Sequence, residues 1–194
     1  MPENPTVDPV RAEGPALVTG GTPGARRLVV LDPAGEAKHD DLPPTWRPLA
    51  ADHEIFWCRL PVESGAREAA LALAAPADAR HLADVVASGP DAGEALRLAH
   101  EHRDHVRSVL LVDPAAEGVV SPGDALAADE GWLAAHGNEI ARLRDAGIDV
   151  ELVAHTTDTP DDRIPAPLPL GHPRVAEGVR TALAKLPAVH RPSL

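Results

Sequence analysis

Four residues carry side chains suited to acyl-transfer chemistry: Ser88, Asp91, Asp158 and His172. In such chemistry a hydroxyl or carboxylate attacks, a histidine moves the proton, and a second carboxylate orients the histidine. Ser88 closes the apolar run Val85-Val86-Ala87 and is followed by Gly89-Pro90. A G-x-S-x-G frame around Ser88 would need glycine in place of Val86 and Pro90, and has neither. Asp91 does lie in a G-x-D-x-G frame, Gly89 to Gly93, which suits carboxylate attack to form a covalent ester. The competing structural reading makes Asp91 the N-cap of a helix starting near Ala92, with Glu94 completing a capping box. His155-Thr156-Thr157-Asp158 follows another apolar run, and His172 lies beyond a proline-rich stretch. For His155, Asp158 and His172 the structural alternative is a loop residue making turn hydrogen bonds in water. Asp32, Pro33 and His155 are candidate ligand-binding positions. For Asp32 the alternative is a strand-end aspartate bonded to its own turn. Asp113-Pro114 reads as a plain strand stop.

His100, His102 and His105 are closely spaced, but a metal site wants ligands converging from fixed elements. They read as solvated side chains, and no metal or cofactor is expected. Cys58 reads as a packed thiol inside an apolar strand. The sequence has no glycine-rich phosphate loop of standard spacing.

These residues need elements to hold them. Arg27-Leu28-Val29-Val30-Leu31 is a buried strand ended by Asp32-Pro33, and Glu54 to Arg59 reads as the next. Ala16 to Thr19 reads as a short edge strand. Val85 to Ser88, Val106 to Val112 and Asp149 to Ala154 complete the strand set. Ala66 to Ala74 is rich in helix formers, and Pro76 ends it, with a further turn over 77–82. A helix runs from Asp91 toward His102. Residues 129–146 are expected to form one amphipathic helix, with Leu133, Ile140 and Leu143 inward and Gly147 as its stop. A last helix spans Val175 to Leu186. Residues 34–45 and 156–173 are loops, the second holding Pro160, Pro165, Pro167, Pro169 and Pro173. A helix joining the strands before and after it is too long for a hairpin, so those strands are parallel neighbours.

The run Val85 to Pro114 carries a longer pattern. Ala95-Leu96, Leu98-Ala99, His102, Val106 and Leu110-Leu111-Val112-Asp113-Pro114 fall in one gap-free register. In that register the stretch resembles the nucleophile-elbow segment of the α/β-hydrolase family. Trp46 to Leu49 and Leu60-Pro61 are similar to its W-x-x-L and L-P steps. The resemblance implies an α/β, doubly wound, mostly parallel sheet of about five parallel strands, truncated and without a cap domain. It puts Gly89 at the nucleophile position and Pro90 at the next, whose backbone N–H the family uses in its oxyanion hole. Proline has no N–H to give. The elbow is thus degenerate at both Gly89 and Pro90. By the same resemblance Asp158 takes the place of the triad acid, the loop from Pro33 to Gly35 the place of the other oxyanion donor, and the histidine position falls near Ala166 rather than at His172. The G-x-D-x-G frame at Asp91 is similar to that of haloalkane dehalogenases, without the tryptophans that hold a halide there.

The chain has 194 residues, with 18 Lys and Arg against 30 Asp and Glu, a net charge of −12. That balance argues against nucleic acid and anionic membrane surfaces as partners and for a soluble protein. One cysteine permits no intrachain disulfide and fits a cytoplasmic setting. The Ala, Pro, Arg and Asp bias has the look of a high-GC bacterial genome. Residues 1–14 read as a loose arm, and 15–190 as one domain. Two functions follow as expectations. In the first the chain has lost the serine hydrolase triad and binds a small molecule or serves as an accessory or scaffold to a protein partner. In the second it is an ester or thioester hydrolase, or a related non-hydrolytic catalyst, using Ser88 or Asp91 with His172 and Asp158.

Overall fold

The computed structural model describes residues 13–37, 39–74, 82–119, 121–159 and 164–186. Six strands form one sheet: β1 (Leu17–Gly21), β2 (Arg26–Asp32), β3 (His53–Arg59), β4 (Ala83–Ser88), β5 (Val106–Val112) and β6 (Asp149–Ala154). Their order is β1-β3-β2-β4-β5-β6. β1 pairs antiparallel with β3, and the other four pairings are parallel. The five parallel strands and the edge strand are those the sequence implied.

The helices are α1 (Arg47–Asp52), α2 (Gly65–Ala74), α3 (Ala92–Glu101), α4 (Ala125–Ala135), α5 (Gly137–Asp145) and α6 (Pro173–Lys185). They cover both faces. On one, Leu73 of α2, Leu96 of α3 and Leu143 of α5 pack with Val29, Val85 and Val109. On the other, Trp46, Leu49 of α1 and Val179 of α6 pack with Val30, Val86 and Leu110. Every residue of β4 and β5 is buried, because strands covered on both faces have no solvent side. This is a mixed α/β, mostly parallel, doubly wound architecture.

Two local expectations need correction. The single helix over 129–146 is two helices, broken at His136, whose ψ of 11° leaves the helical region before Gly137, a weak helix former. The first also begins at Ala125. Asp91 stands at the N-cap of α3, but its side chain makes no capping hydrogen bond. Glu94 is turned to Arg97 instead, so the capping box does not form. The stop at Gly147 is as read: φ is +83°, Gly147 N–H donates to Arg144 O and Ile148 N–H to Leu143 O, a Schellman closure. The turn over 77–82 and the break at Pro76 fall almost wholly on 75–81, and the arm over 1–14 almost wholly on 1–12, outside the described residues.

The strand order positions the site. β2 is followed in sequence by β3 on one side and flanked by β4 on the other. The connections diverge there, leaving a crevice beyond the carboxyl ends of β2 and β4, where open α/β sheets bind ligands. Those ends are Asp32 and Ser88.

Candidate strand-end site

Three carboxylates organise this edge: the buried Asp32 and Asp113 and the half-buried Glu36. Asp32, fully buried, takes four donors: Ala34 N at 2.9 Å, Gly35 N at 2.8 Å, Glu36 N, and Trp57 Nε1 at 2.8 Å. Burial pushes its carboxyl above the usual range, against the pull of those four hydrogen bonds. The turn-bonding reading of Asp32 therefore holds, with Trp57 as a partner that local sequence does not announce. Glu36 then reaches the far loop: Leu170 N donates to Oε1 at 2.6 Å and Gly171 N to Oε2 at 2.8 Å. Its carboxyl is also pushed up by burial and by the nearby Asp32.

Asp113 is more than a strand stop. It is fully buried, with φ at +42°. Thr156 N donates to Oδ1 at 2.7 Å, and Thr156 Oγ1 at 2.8 Å and Leu168 N at 2.7 Å donate to Oδ2. Trp46 Nε1 donates to Leu170 O at 2.8 Å, and Thr45 Oγ1 to Gly171 O at 2.8 Å. The proline-rich loop is thus pinned at Leu168, Leu170 and Gly171. Sequence reasoning missed Glu36, Asp113, Trp46 and Thr156; the signal it had was a carboxylate next to a buried strand.

This loop covers the turn after β4. Gly89 has φ at +55°, and a Cβ placed on it would stand 3.0 Å from Pro167 Cγ. Ser88 is 1 % exposed, and its Oγ donates to Leu168 O across a long 3.4 Å. Asp91 is half-buried with Oδ2 unpartnered. Its carboxyl is pushed up to about 6, first by burial and then by Glu94, Asp32 and Glu117. Behind the turn, Asp129 is fully buried; Oδ1 accepts from Ala115 N at 3.0 Å and Oδ2 has no partner. Burial, with Asp113 nearby, raises it to about 6.

The remaining candidates lie in the loop after β6 and at the start of α6. His172 is the N-cap of α6, its Nδ1 accepting from Arg174 N at 3.2 Å. His155 offers its carbonyl to Arg174 Nη2 at 3.1 Å. Asp158 is exposed, in the loop after β6. Among the described residues no hydrogen bond joins Ser88 or Asp91 to a histidine.

Between the loops after β2 and β4 and the pinned loop lies a cleft of about 520 Å³. Pro33, Pro90, Pro167 and Pro169 wall it with Leu168 and Leu170. Glu36 and Ser88 are the residues with polar side chains in its lining. Among the described residues no group of three or more His, Cys, Asp or Glu side chains could hold a metal ion, and no helix is long and apolar enough to cross a membrane.

No family model and no curated protein matches the chain. One similar solved structure is titled "Est816 as an N-Acyl homoserine lactone degrading enzyme", at a TM-score of 0.35 and 18% identity. The match covers 63% of this chain and 51% of that one, so the chain spans about half that protein's length.

Proposed function

We propose that this chain is an α/β-hydrolase-like protein without serine hydrolase activity, and that its strand-end cleft binds a small molecule. The observation that carries the reading is the contact at Gly89. The turn position that would present a nucleophile bears no side chain, its φ of +55° strains any that is added, and a Cβ there would crowd Pro167 at 3.0 Å. Pro90 withholds the adjacent N–H, and losing one such donor costs roughly 3 kcal/mol of transition-state stabilisation. The placement of Ser88 against Leu168 O and of His172 on α6 supports the same reading. A ligand-binding role is favoured over a scaffold role by the cleft itself. The exposed large hydrophobics among the described residues, Leu71 and Leu126, lie in separate helices.

One observation favours a second reading. The buried, unpartnered Oδ2 of Asp91, on a carboxyl raised to about 6, suits a proton-transferring or attacking carboxylate near neutral pH. In that reading the chain is an ester or thioester hydrolase, or a related catalyst, using Asp91 or Ser88 with His172 and Asp158.

The test is labelling with a fluorophosphonate, read by mass spectrometry, together with turnover of activated esters and thioesters. Wild type, Ser88→Ala and Asp91→Asn are expected to give the same background. A stoichiometric adduct on Ser88, lost in the alanine variant, refutes the proposal, as does ester turnover abolished by Asp91→Asn.

A further inference from the structure

The hydrogen-bonding character of the cleft narrows what it can take. Four of the residues lining it, Pro33, Pro90, Pro167 and Pro169, have no amide hydrogen. Four others have theirs committed elsewhere: Ala34 N and Glu36 N to Asp32, Leu168 N to Asp113, and Leu170 N to Glu36. Ser88, the remaining lining residue, sits in β4 in ladder register with Val112 and turns its hydroxyl hydrogen to Leu168 O. The wall is therefore poor in donors, although acceptors remain. Each Glu36 oxygen takes one backbone N–H, and a carboxylate oxygen accommodates about two. Carboxylates gather around it: Asp32 is close to Glu36, and Asp91, with Glu94 and Glu117 beside it, flanks the turn at Pro90, while the buried Arg59 guanidinium, with Nε on Gly35 O and Nη1 on Pro15 O, is the cation bonded to the loop after β2.

A carbonyl, carboxylate or oxyanion buried here would exchange water for a wall whose one side-chain donor, the Ser88 hydroxyl, is turned to Leu168 O, and would be left short of hydrogen bonds. A ligand that brings its own N–H donors and positive charge, on an apolar body, meets both the Glu36 carboxylate and the proline-leucine walls. The volume, about 520 Å³, suits a small organic molecule.

Resting on the small-molecule reading above, we propose that the cleft between the loops after β2 and β4 binds an amphiphilic organic ammonium, with its nitrogen on Glu36 and its apolar part against Pro33, Pro90, Pro167 and Leu168. The same donor-poor wall that excludes an acyl oxyanion selects this ligand class.

The experiment is calorimetric and saturation-transfer NMR titration of the full chain with three probes of matched length: 3-phenylpropylammonium, 3-phenylpropanol and 3-phenylpropionate. The ammonium is expected to bind at least tenfold more tightly than either of the others. Glu36→Gln, which keeps the shape, is expected to remove that preference. Because Glu36 also pins Leu170 and Gly171, a second variant is needed that leaves it intact. Ala34→Phe places a ring in the cleft from a half-buried position and is expected to abolish ammonium binding with the fold unchanged by circular dichroism. Equal or tighter binding of the propionate, lost in Ala34→Phe, overturns the ammonium inference and leaves the binding reading standing. Ammonium binding that survives Ala34→Phe places the ligand elsewhere and overturns the inference. Failure of all three probes to bind at millimolar concentration overturns it as well. Esterase turnover, measured separately, is what removes the underlying non-hydrolytic reading.

Discussion

Replacing Asp113 with asparagine tests the pinned loop at its root. The carboxylate holds three donors from two segments: Thr156 N on Oδ1, and Thr156 Oγ1 and Leu168 N on Oδ2. Asparagine is a fair probe because, after glycine, it is among the residues that best tolerate a positive φ such as the +42° found here. With its oxygen in the Oδ2 place it retains two partners. Its NH2 group then faces the Thr156 N–H, which is left buried without an acceptor. One charge-assisted bond is lost and two are weakened, a cost of about 2–4 kcal/mol. With a urea slope of about 2 kcal/mol/M, the unfolding midpoint should fall by about 1–2 M. Urea titrations followed by tryptophan fluorescence read this directly, since Trp46 bonds to Leu170 in the same loop. A midpoint shift below about 0.3 M, under roughly 0.6 kcal/mol at that slope, would mean that Asp113 does not hold the loop and that the pinned-loop argument is wrong.

Asp129 gives a pH test whose sign is set. Its folded-state pKa, about 6, lies above the ordinary aspartate value of 3.8, so the folded protein binds this proton more tightly than the unfolded chain. Its ionised form therefore costs stability above about pH 6, and the cost is relieved as pH falls from about 6 toward 4. Asp129→Asn should raise Tm more at pH 7.5 than at pH 4.5; an equal shift at both would show that the carboxyl is not perturbed. At the other end of β4 and β5, Arg107 makes a two-pronged ion pair with buried Asp84, at 2.9 and 2.7 Å. Arg107→Met leaves a buried charge and should cost about 3–5 kcal/mol in urea unfolding, and a loss under 1 kcal/mol would contradict this. Gly178→Ala should destabilise by about 2 kcal/mol despite alanine's better helix propensity, because the added Cβ would lie 2.2 Å from Val153 O. A rise in Tm would refute that close approach of α6 to β6.

Much of the fold was legible in the chain because strands and helices announce themselves locally. The continuous apolar runs at Leu28–Leu31 and Val109–Val112 read as strands buried on both faces, and both are. Gly147 closed its helix as its freedom at positive φ allows. The site was less legible. Asp91 met every local requirement of a cap, yet its carboxyl lies unbonded near Asp32 and Glu117. His172 was weighed as a base, and its Nδ1 accepts from Arg174 N at the cap of the helix that follows, a contact its loop position did not announce. Asp113 looked like a simple stop because its partners, Thr156 and Leu168, lie 43 and 55 residues away.

By itself the sequence determined what covalent structure cannot supply: no side chain at Gly89, no amide hydrogen at Pro90, Pro167 or Pro169, and an excess of carboxylates. Those are properties of single residues and survive any fold. Only the tertiary structure decided where they converge. The strand order put β2 beside β4 and opened the crevice. Glu36 reached across 134 and 135 positions to Leu170 and Gly171, and Pro167 came to rest over Gly89. Such contacts leave no local pattern, because packing across the whole sheet chooses them.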